Sequence, residues 1–395
     1  MTGRILHVTG DHPDLIDPSK TPVIESLLSL TSDRFEHRVL SINRKSPGLA
    51  FAGRVLAQPW SPELRTRIRT DRPELTTVVY EAPPRGIYHL TMLMRLADAL
   101  LDEVGRGPRP DLVVGHKLTI EGPVVQRMAQ RLGIPYAVSI QGNTDMKIIR
   151  VRSDLRSVFA SVFVNAAVVF PFAPWALAAV EARLGRRGGP TLLLPCPTPS
   201  DEIIAPQLVG PNVVSVFHLR KYRLKNAARL VRAAAVVEHS VPGLTLDIVG
   251  EGSDEDRAGI EGLIKKAGAQ GVRLAGPIPH RDIQQRLNRA GGFAMVSLNE
   301  SFGLVFIESL LAGCPIVYPR GISVEGYFDG MPFAIAAEAR DQHSINDAVM
   351  RLVKDEVRLK ASLSDWLRSD EPERFRREAI ARQFGDGLEL ALAAT

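Results

Sequence analysis

Short apolar runs alternate with amphipathic stretches along almost the whole chain. In the first half, the runs that predict β-strands are RILHVT, HRVLSI, TVVYEA, DLVVGH, YAVSIQG, AAVVF and TLLLP. Helical patterns lie between several of them, for example over residues 89–104 and 121–132. Strands that alternate with helices are typical of βαβ units, whose parallel sheet is covered on both faces. The first half is therefore predicted to be an α/β domain with a doubly wound parallel sheet.

The second half repeats this rhythm, with VVSVFHL, LTLDIVG, VRLAG, FAMVSL and PIVYP as its strand patterns. A proline-rich segment without periodicity, residues 195–211, separates the two halves. We therefore predict two Rossmann-like domains, residues 1–205 and 206–370. The last part, residues 371–395, is charged and predicted to be a terminal helix.

Composition adds a bias toward anionic partners. The 395 residues are 45% hydrophobic and 24% charged, as in ordinary globular proteins, and carry a formal net charge of +5. The two cysteines, Cys196 and Cys314, lie in apolar segments, which predicts neither a disulfide framework nor a zinc site. The first residues, MTGRILHVTG, form a strand pattern without the apolar core of a secretory signal. We expect a cytoplasmic protein.

Residues 157–180 have no charged side chain and approach the length of a membrane-spanning helix, roughly 20 residues. Asn165 lies inside this stretch, and Pro171 and Pro174 interrupt it. The pieces AAVVF and PWALAAV instead predict a strand followed by a short helix. A membrane span is therefore not expected here.

The segment with the most chemistry is NESFGLVFIESLLAGCPIV, residues 299–317. After the strand pattern FAMVSL the chain turns at Glu300, Ser301 and Phe302, a helix is predicted to begin near Gly303, and Gly313 ends it. A helix start offers unpaired backbone N–H groups and the positive end of the helix dipole, both of which suit a diphosphate. Gly303 would let a phosphate approach the backbone closely.

Two acidic residues flank this predicted helix start. Glu300 and Glu308 are separated by largely helical chain, a span on the order of 12 Å. Carboxylates so placed can accept hydrogen bonds from sugar and ribose hydroxyls on the two sides of a diphosphate. The simpler alternative is a pair of solvated glutamates on an exposed helix face. The apolar character of the helix favours the first interpretation, because an unpaired buried carboxylate is costly.

These residues resemble a known family. Glu300 and Glu308, with SFGLVFI between them, look like the E-x7-E signature of the family 4 retaining glycosyltransferases of the GT-B fold. The resemblance implies two Rossmann-like domains that face each other across a cleft, with a C-terminal helix that crosses back onto the first domain. It also implies a nucleotide-sugar donor, UDP- or GDP-linked, with no cofactor and no metal ion. Donor binding would fall to Ser301, Phe302, Gly303, Leu304 and Glu308.

The resemblance extends through the second half of the chain. In LRKYRLKNAARLV, Arg220 and Lys225 fall on the family's diphosphate-binding cations. Such cations at a strand end can stabilise the charge of a leaving diphosphate, although solvated cations in a basic loop are the simpler alternative. VGEGSDEDR resembles the family's V-G-x-G turn, which places Gly250 and Glu251 at the nucleotide, and Ile278 in AGPIPH is a candidate contact to the base. The acidic SDED is interpreted as a helix N-terminus.

The first half carries weaker similarities. DLVVGH is similar to the strand that places a histidine, here His116, against the donor sugar, where it would form a hydrogen bond and could exchange a proton. A packed or capping histidine is the alternative. The catalytic set implied is thus His116, Glu300, Arg220 and Lys225. The candidates for acceptor contacts in the first domain are Gly10, Ser19, Lys20, Thr21, Gln141 and Asn143.

The function expected is transfer of a sugar to an acceptor hydroxyl in polysaccharide, glycolipid or glycoconjugate synthesis. The acceptor is expected to be a sugar, a lipid-linked molecule or a small molecule, with peripheral contact to an anionic membrane. A second hypothesis is a catalytically silent protein that holds a nucleotide sugar. A third, nucleic-acid binding, rests on the basic stretches 65–72 and 147–156. It is not favoured, because no aromatic interleaving or recognised module accompanies them.

Overall fold

A computed structural model describes residues 3–46, 64–83 and 88–394. The chain divides into two compact units. The first comprises Met1–Phe172, Ala176–Pro195 and Glu378–Thr395, and the second comprises Ala173–Trp175 and Cys196–Arg377. Each unit contains one sheet with helices, so the two Rossmann-like α/β domains predicted from the sequence are present.

The sheet of the first unit has seven strands. They are β1 (Gly3–Thr9), β2 (Phe35–Lys45), β3 (Arg65–Arg72), β4 (Leu75–Glu81), β5 (Leu112–Gly115), β6 (Tyr136–Ile140) and β7 (Val168–Pro171). Their order is β3-β4-β2-β1-β5-β6-β7, and all neighbours are parallel except β3 and β4. The central strands are buried on both faces, as their continuous apolar runs predict.

Two sequence interpretations in this unit need correction. The basic stretch 65–72, which we interpreted only as a charged run, forms the edge strand β3, antiparallel to β4. Its arginines are exposed, which suits an edge strand since charged side chains block further strand pairing. The run TLLLP, expected to be a strand, makes only an isolated bridge between Thr191 and Val169. It still runs beside β7, because the N–H groups of Leu192 and Leu194 donate to the carbonyl oxygens of Val169 and Pro171 at 2.9 and 2.8 Å, and Leu194 is fully buried.

Helices cover this sheet. They are α1 (Val23–Ser29), α2 (His89–Val104), α3 (Glu121–Leu132), α4 (Asn143–Val151), α5 (Arg156–Asn165), α6 (Pro174–Leu184) and the C-terminal α13 (Arg377–Leu392). α13 packs on the first unit, where the Phe384 ring meets Phe170 edge-on at 5.3 Å between centroids. Gly387 lies on the same face, and a Cβ atom there would lie 2.4 Å from the Phe170 ring. The end of the chain thus belongs to the core of the first unit.

The second unit has a six-stranded sheet in which all strands are parallel. Its strands are β8 (Asn212–Val216), β9 (Thr245–Val249), β10 (Val272–Gly276), β11 (Gly292–Ala294), β12 (Ile316–Pro319) and β13 (Ala334–Ala337), in the order β10-β9-β8-β11-β12-β13. Its helices are α7 (Ala227–Glu238), α8 (Asp254–Ala267), α9 (Ile283–Asn288), α10 (Leu304–Leu311), α11 (Gln342–Lys354) and α12 (Glu356–Leu367). α8 begins at SDED as predicted, with Ser253 and Asp256 in a reciprocal capping box.

The two units meet along the sequence at Pro195 and Cys196, whereas the expected boundary lay near residue 206. Residues 204–210 belong to the second unit because their backbone is bound there. The Ile204 N–H donates to the Leu311 carbonyl oxygen at 2.8 Å, and the N–H groups of Val209 and Gly210 donate to the carboxylate of Glu356. Pro206 therefore lies on the second unit, and residues 204–210 do not form a free linker.

Residues 157–180 form most of α5, then β7 and the start of α6, so the strand and short helix predicted there are present. In the part of the chain that the structure describes, no helix combines the length and the apolar character needed to cross a membrane. The two cysteines are buried free thiols.

Candidate functional site

Each sheet has one switch point, where the chain leaves two neighbouring strands in opposite directions across the sheet. In the first unit this is between β1 and β5, and in the second it is between β8 and β11. Ligands of open α/β sheets bind outside the carboxyl ends of the strands at such a switch point. The loops after β1, β5, β8 and β11 are therefore the expected positions of ligand-binding side chains.

At the switch point of the second unit, Lys225 and Glu300 are in contact. The Lys225 ammonium donates to Glu300 Oε2, and both side chains are largely but not fully buried. The surrounding backbone holds them there. The neighbouring Asn226 side chain donates to the carbonyl oxygens of Val296 and Ala339, and the Leu298 N–H donates to the Leu224 carbonyl oxygen at 2.8 Å. Two loops far apart in sequence are thereby joined.

Arg220 lies in a single turn of 3-10 helix, Leu219–Lys221, directly beyond β8. Its side chain is exposed, and it makes no ion pair or side-chain hydrogen bond with the described residues. An exposed guanidinium at a parallel strand end is available to a phosphate, for which its planar fork is well suited.

The glycine-containing turn after β9 packs tightly against this strand end. Gly250 has φ +158°, and a Cβ atom there would lie 1.9 Å from the Phe217 carbonyl oxygen. A Cβ atom on Gly252 would lie 2.6 Å from Cβ of Leu219. Only glycine fits at such distances. The exposed Glu251 accepts a hydrogen bond from the Leu219 N–H through its carbonyl oxygen, and Ile278 lies half-buried just beyond β10.

α10 begins where the sequence predicts, and a side chain that the sequence analysis missed secures its start. Gly303 has φ +79°, and its neighbour Phe302 is buried. The buried hydroxyl of Ser323 donates to the Phe302 carbonyl oxygen at 2.7 Å. The backbone N–H groups of Leu304 and Val305 make no hydrogen bond within the described residues. These N–H groups and the half-buried Ser301 follow Glu300 within five residues of the chain.

Glu308 lies on the second turn of α10 and only 3% of its surface is exposed. Its Oε1 atom is 3.4 Å from Nε2 of His280 but has no hydrogen-bond partner in the described part of the chain. Burial raises the pKa of Glu308 to about 7. An unpaired buried carboxyl is costly to a folded protein and is a candidate for ligand recognition.

In the first unit, His116 follows β5 directly and is completely buried. Its Nε2 atom lies 3.0 Å from Nδ1 of His7, while its Nδ1 atom has no hydrogen-bond partner among the described residues. Burial lowers the pKa of His116 to about 3. His116 is therefore neutral near pH 7, whereas the proton exchange considered from the sequence assumed an ordinary histidine pKa.

The residue after His116 begins a buried charge cluster that sequence analysis also missed. Lys117 Nζ lies 2.6 Å from Asp11 Oδ2, and the buried Glu121 Oε1 accepts from the Gly10 N–H at 2.8 Å. Burial raises the pKa of Glu121 to about 7. The sequence signal was the i, i+4 spacing of Lys117 and Glu121 at a helix start, which by itself also fits a surface pair.

The remaining first-unit candidates are mostly engaged in local structure. The Lys20 ammonium donates to Asp14 at 2.7 Å and to Ser41 at 3.0 Å, and the Ser19 hydroxyl donates to Asp17. The Thr21 hydroxyl lies 3.5 Å from the Val23 N–H at the start of α1. Since the one cation of this group is already paired, Lys20 is less available to a phosphate than Arg220.

Gln141 and Asn143 flank the turn between β6 and α4. The Gln141 N–H donates to Asp145 at 3.3 Å, and Asp145 also accepts from the N–H and hydroxyl of Thr119. Burial raises the pKa of Asp145. The side chains of Gln141 and Asn143 are half-exposed at this carboxyl edge of the sheet. No group of three or more metal-ligating side chains occurs in the described ranges.

Comparison with known proteins agrees with this architecture. The family model for glycosyl transferases group 1 matches residues 202–374, and that for the glycosyl transferase 4-like domain matches residues 30–219. Together they span most of both units. The chain belongs to the family 4 glycosyltransferases of the GT-B fold.

Individual relatives match over shorter stretches. The GtfA subunit of a UDP-N-acetylglucosamine–peptide N-acetylglucosaminyltransferase from Streptococcus gordonii is 37% identical over 89 residues, which is 22% of this chain and 17% of that protein. A D-inositol 3-phosphate glycosyltransferase from Corynebacterium urealyticum is 27% identical over 144 residues, 35% of this chain and 34% of that protein. The chain thus spans about a third or less of the length of these two curated relatives.

Solved structures match along the full chain. Sucrose-phosphate synthase from Thermosynechococcus elongatus has a TM-score of 0.70 and 19% identity, and the match covers 100% of both chains. This likeness shows the fold.

Proposed function

We propose that this chain is a retaining, metal-independent glycosyltransferase that moves a sugar from a UDP- or GDP-sugar to an acceptor hydroxyl. The observation that carries the proposal is the contact between Lys225 and Glu300 at the switch point of the second sheet, beside the start of α10. Family membership supports the same activity.

The second unit supplies the groups that a nucleotide diphosphate needs. Arg220, Lys225 and the free N–H groups of Leu304 and Val305 would hold the diphosphate oxygens. Glu308 would accept hydrogen bonds from the ribose hydroxyls, which explains a buried carboxylate oxygen that has no hydrogen bond within the described residues. Glu300 would accept from a hydroxyl of the donor sugar. The Gly250–Glu251 turn and Ile278 would lie against the nucleoside.

The chemical step breaks the bond between the anomeric carbon and the diphosphate oxygen and forms a bond from that carbon to the acceptor oxygen. The acceptor proton passes to the departing phosphate oxygen on the same face of the sugar, so the anomeric configuration is retained. Lys225 and Arg220 stabilise the charge that develops on the diphosphate, which is where fixed cations lower the barrier most. Because Glu300 pairs with Lys225, it also fixes the position of the ammonium.

The names of related proteins support a nucleotide-sugar donor. The Streptococcus gordonii relative is named for transfer from UDP-N-acetylglucosamine, and a structural neighbour from Anabaena, with a TM-score of 0.63 and 13% identity over 98% of this chain and 99% of that one, was solved with UDP and glucose. These names make UDP-sugars the first donors to test.

The acceptor is proposed to carry an apolar part and an anionic group. A cavity of about 620 Å³ lies in the first unit, at the carboxyl end of β4. Its wall is mainly apolar, with Met92, Leu93 and Ile148 among its residues. The exposed Lys147 on its rim has no ion-pair partner within the described chain. A lipid-linked phosphate or another amphipathic anion fits this combination. We expect the enzyme to bind this acceptor in the cytoplasm, at the inner face of the membrane.

A panel of nucleotide sugars, screened by thermal shift and then by transfer to alkyl phosphate and alkyl glycoside acceptors, tests the proposal. We expect one nucleotide sugar to raise the melting temperature, since a ligand that binds only the folded state stabilises it. The same donor should yield a glycosylated product of retained configuration. Stabilisation without transfer or donor hydrolysis would favour the catalytically silent alternative, and stabilisation by none would count against both.

A further inference from the structure

Four side chains from separate elements form a continuous line of hydrogen bonds inside the first unit. His116 Nε2 lies 3.0 Å from His7 Nδ1, and His7 Nε2 lies 2.9 Å from His37 Nδ1. His37 Nε2 lies 3.0 Å from the hydroxyl oxygen of Thr31. His7 is on β1, His37 on β2, His116 just after β5 and Thr31 just after α1. His7, His116 and Thr31 are completely buried.

At the Thr31 end of this line, it is fixed which atom donates and which accepts. The Thr31 hydroxyl donates to the Leu27 carbonyl oxygen at 3.0 Å. A hydroxyl has one proton, so once it is given to Leu27 the oxygen can only accept from His37. His37 must therefore carry its proton on Nε2.

The direction then passes from ring to ring, because a neutral imidazole has one N–H and one acceptor nitrogen. With its proton on Nε2, His37 offers Nδ1 as an acceptor, and His7 must donate to it from Nε2. His7 in turn offers Nδ1, so His116 must donate from Nε2. The Nδ1 atom of His116 is left without a proton.

The His116 end favours the same direction. Its Nδ1 atom is buried and has no hydrogen-bond partner within the described residues. The reversed chain would place an N–H there with no acceptor and would take the hydroxyl donor away from the Leu27 carbonyl oxygen. A buried N–H without a partner is rarer in proteins than an under-satisfied acceptor. Both ends thus select one of the two directions.

We propose that Thr31, His37 and His7 are positioning residues that hold His116 in its Nε2-protonated tautomer, so that His116 Nδ1 accepts a hydrogen bond from a hydroxyl of the bound sugar. The tautomer follows from the first unit alone. Only the identification of the ligand as a sugar rests on the proposed function.

The line is electrically neutral. Burial lowers the pKa of His116 to about 3 and that of His37 to about 4, and burial followed by the two neighbouring imidazoles lowers that of His7. His116 therefore binds its ligand as a fixed acceptor and does not donate a proton to it. Nearby Asp11 favours protonation of His116 and Lys117 opposes it, and burial outweighs both.

Nitrogen-15 NMR of the protein labelled in its histidine rings tests the tautomer directly. Long-range proton–nitrogen spectra at pH 7 distinguish a protonated from an unprotonated ring nitrogen, and His7→Gln, His37→Gln and His116→Gln assign the signals by their loss. We expect all three rings to be neutral with the proton on Nε2. A proton on His116 Nδ1, or a positively charged ring among the three, would overturn the proposal.

Two substitutions of Thr31 distinguish its role in the line of hydrogen bonds from its role in packing. Thr31→Ser keeps the hydroxyl, and we expect the wild-type spectrum. Thr31→Val keeps the shape but removes the acceptor, so either direction of the chain then leaves one N–H unpaired and His116 should populate both tautomers. A single wild-type tautomer in folded Thr31→Val would show that Thr31 does not set the direction.

The ligand is tested separately, with the donor that transfers or binds in the thermal-shift panel. Adding it to the labelled protein should move the His116 Nδ1 resonance and leave that of His37 Nε2 in place. An unmoved Nδ1 resonance with a saturating donor would refute the contact to the sugar. Failure of every donor in the panel would instead count against the proposed function, and the tautomer result would stand.

Discussion

The Lys225 ammonium donates to the carboxylate of Glu300, which lies 75 positions later in the chain. One residue follows β8 and the other follows β11, the two strands that flank the switch point of the second sheet. The ion pair brings a cation and an acceptor of hydroxyl hydrogen bonds to one place. In the proposed mechanism, Lys225 stabilises the charge of the leaving group and Glu300 orients the donor sugar.

Replacing Lys225 by alanine should lower the turnover number by about 100-fold or more, the usual effect of removing one preorganised electrostatic stabiliser. Lys221→Ala is the matched control, since Lys221 is an exposed cation of the same loop without an ion-pair partner in the described residues. Steady-state kinetics with the identified donor compare the two. Equal turnover in both variants would remove Lys225 from the mechanism.

Glu308→Gln should stabilise the protein at pH 8 while it weakens donor binding. The pKa of Glu308 is raised to about 7 by burial, so the folded state binds more protons than the unfolded state between about pH 4.5 and 7. Stability is therefore lost as the pH rises through this window. Removing the charge should recover up to about 3 kcal/mol at pH 8.

Urea unfolding of wild type and Glu308→Gln at pH 5 and pH 8 measures this effect. The gain in the free energy of unfolding should be small at pH 5, where Glu308 is mostly protonated in the folded protein. A gain of equal size at the two pH values would contradict a buried, titrating carboxyl. Donor affinity, measured in parallel, should fall in the variant because a ribose hydroxyl loses a charged acceptor.

Gly250→Ala should destabilise the second unit by about 3 kcal/mol and weaken nucleotide binding, because the new Cβ atom meets the Phe217 carbonyl oxygen and must displace backbone. Gly262→Ala, on the exposed part of α8, has open space around the new methyl group. That control should stabilise slightly, by about 0.5–1 kcal/mol. Calorimetry compares the two variants. Similar melting temperatures would show that the turn at Gly250 has room for a side chain.

Lys147→Ala should raise the KM for an anionic acceptor and leave donor binding unchanged, since Lys147 is on the rim of the cavity in the first unit. Arg150→Ala, an exposed cation on the same helix that does not line the cavity, is its control. Acceptor kinetics with an alkyl phosphate and an uncharged alkyl glycoside should show the Lys147 effect only for the phosphate. An equal effect on both acceptors would refute a phosphate contact.

Most of the fold was predictable because buried parallel strands leave continuous apolar runs. The edge strand β3 was not, since it alternates arginine with small or apolar residues and lies largely in solvent. TLLLP was expected to be a strand from its apolar pattern, and Leu192 and Leu194 do donate backbone hydrogen bonds to β7, although the segment makes only an isolated bridge and no regular ladder.

Candidate site residues could be named from the sequence where they lie in one motif, as Glu300, Gly303 and Glu308 do. They could not be named where side chains from several elements converge. Ser323 secures the start of α10 from 21 positions away, and nothing in its own neighbourhood marks it. The line from Thr31 to His116 crosses β2 and β1 and ends just after β5, so only the sheet order brings its members together.

We propose that a pyrophosphate binds at Lys225, Glu300 and the start of α10. A crystal structure with the donor that gives the largest thermal shift tests it most directly. We expect pyrophosphate oxygens within hydrogen-bond distance of Lys225 Nζ and of the N–H groups of Leu304 and Val305, with the ribose hydroxyls bound to Glu308. A nucleotide bound elsewhere, with this place occupied only by water, would contradict it.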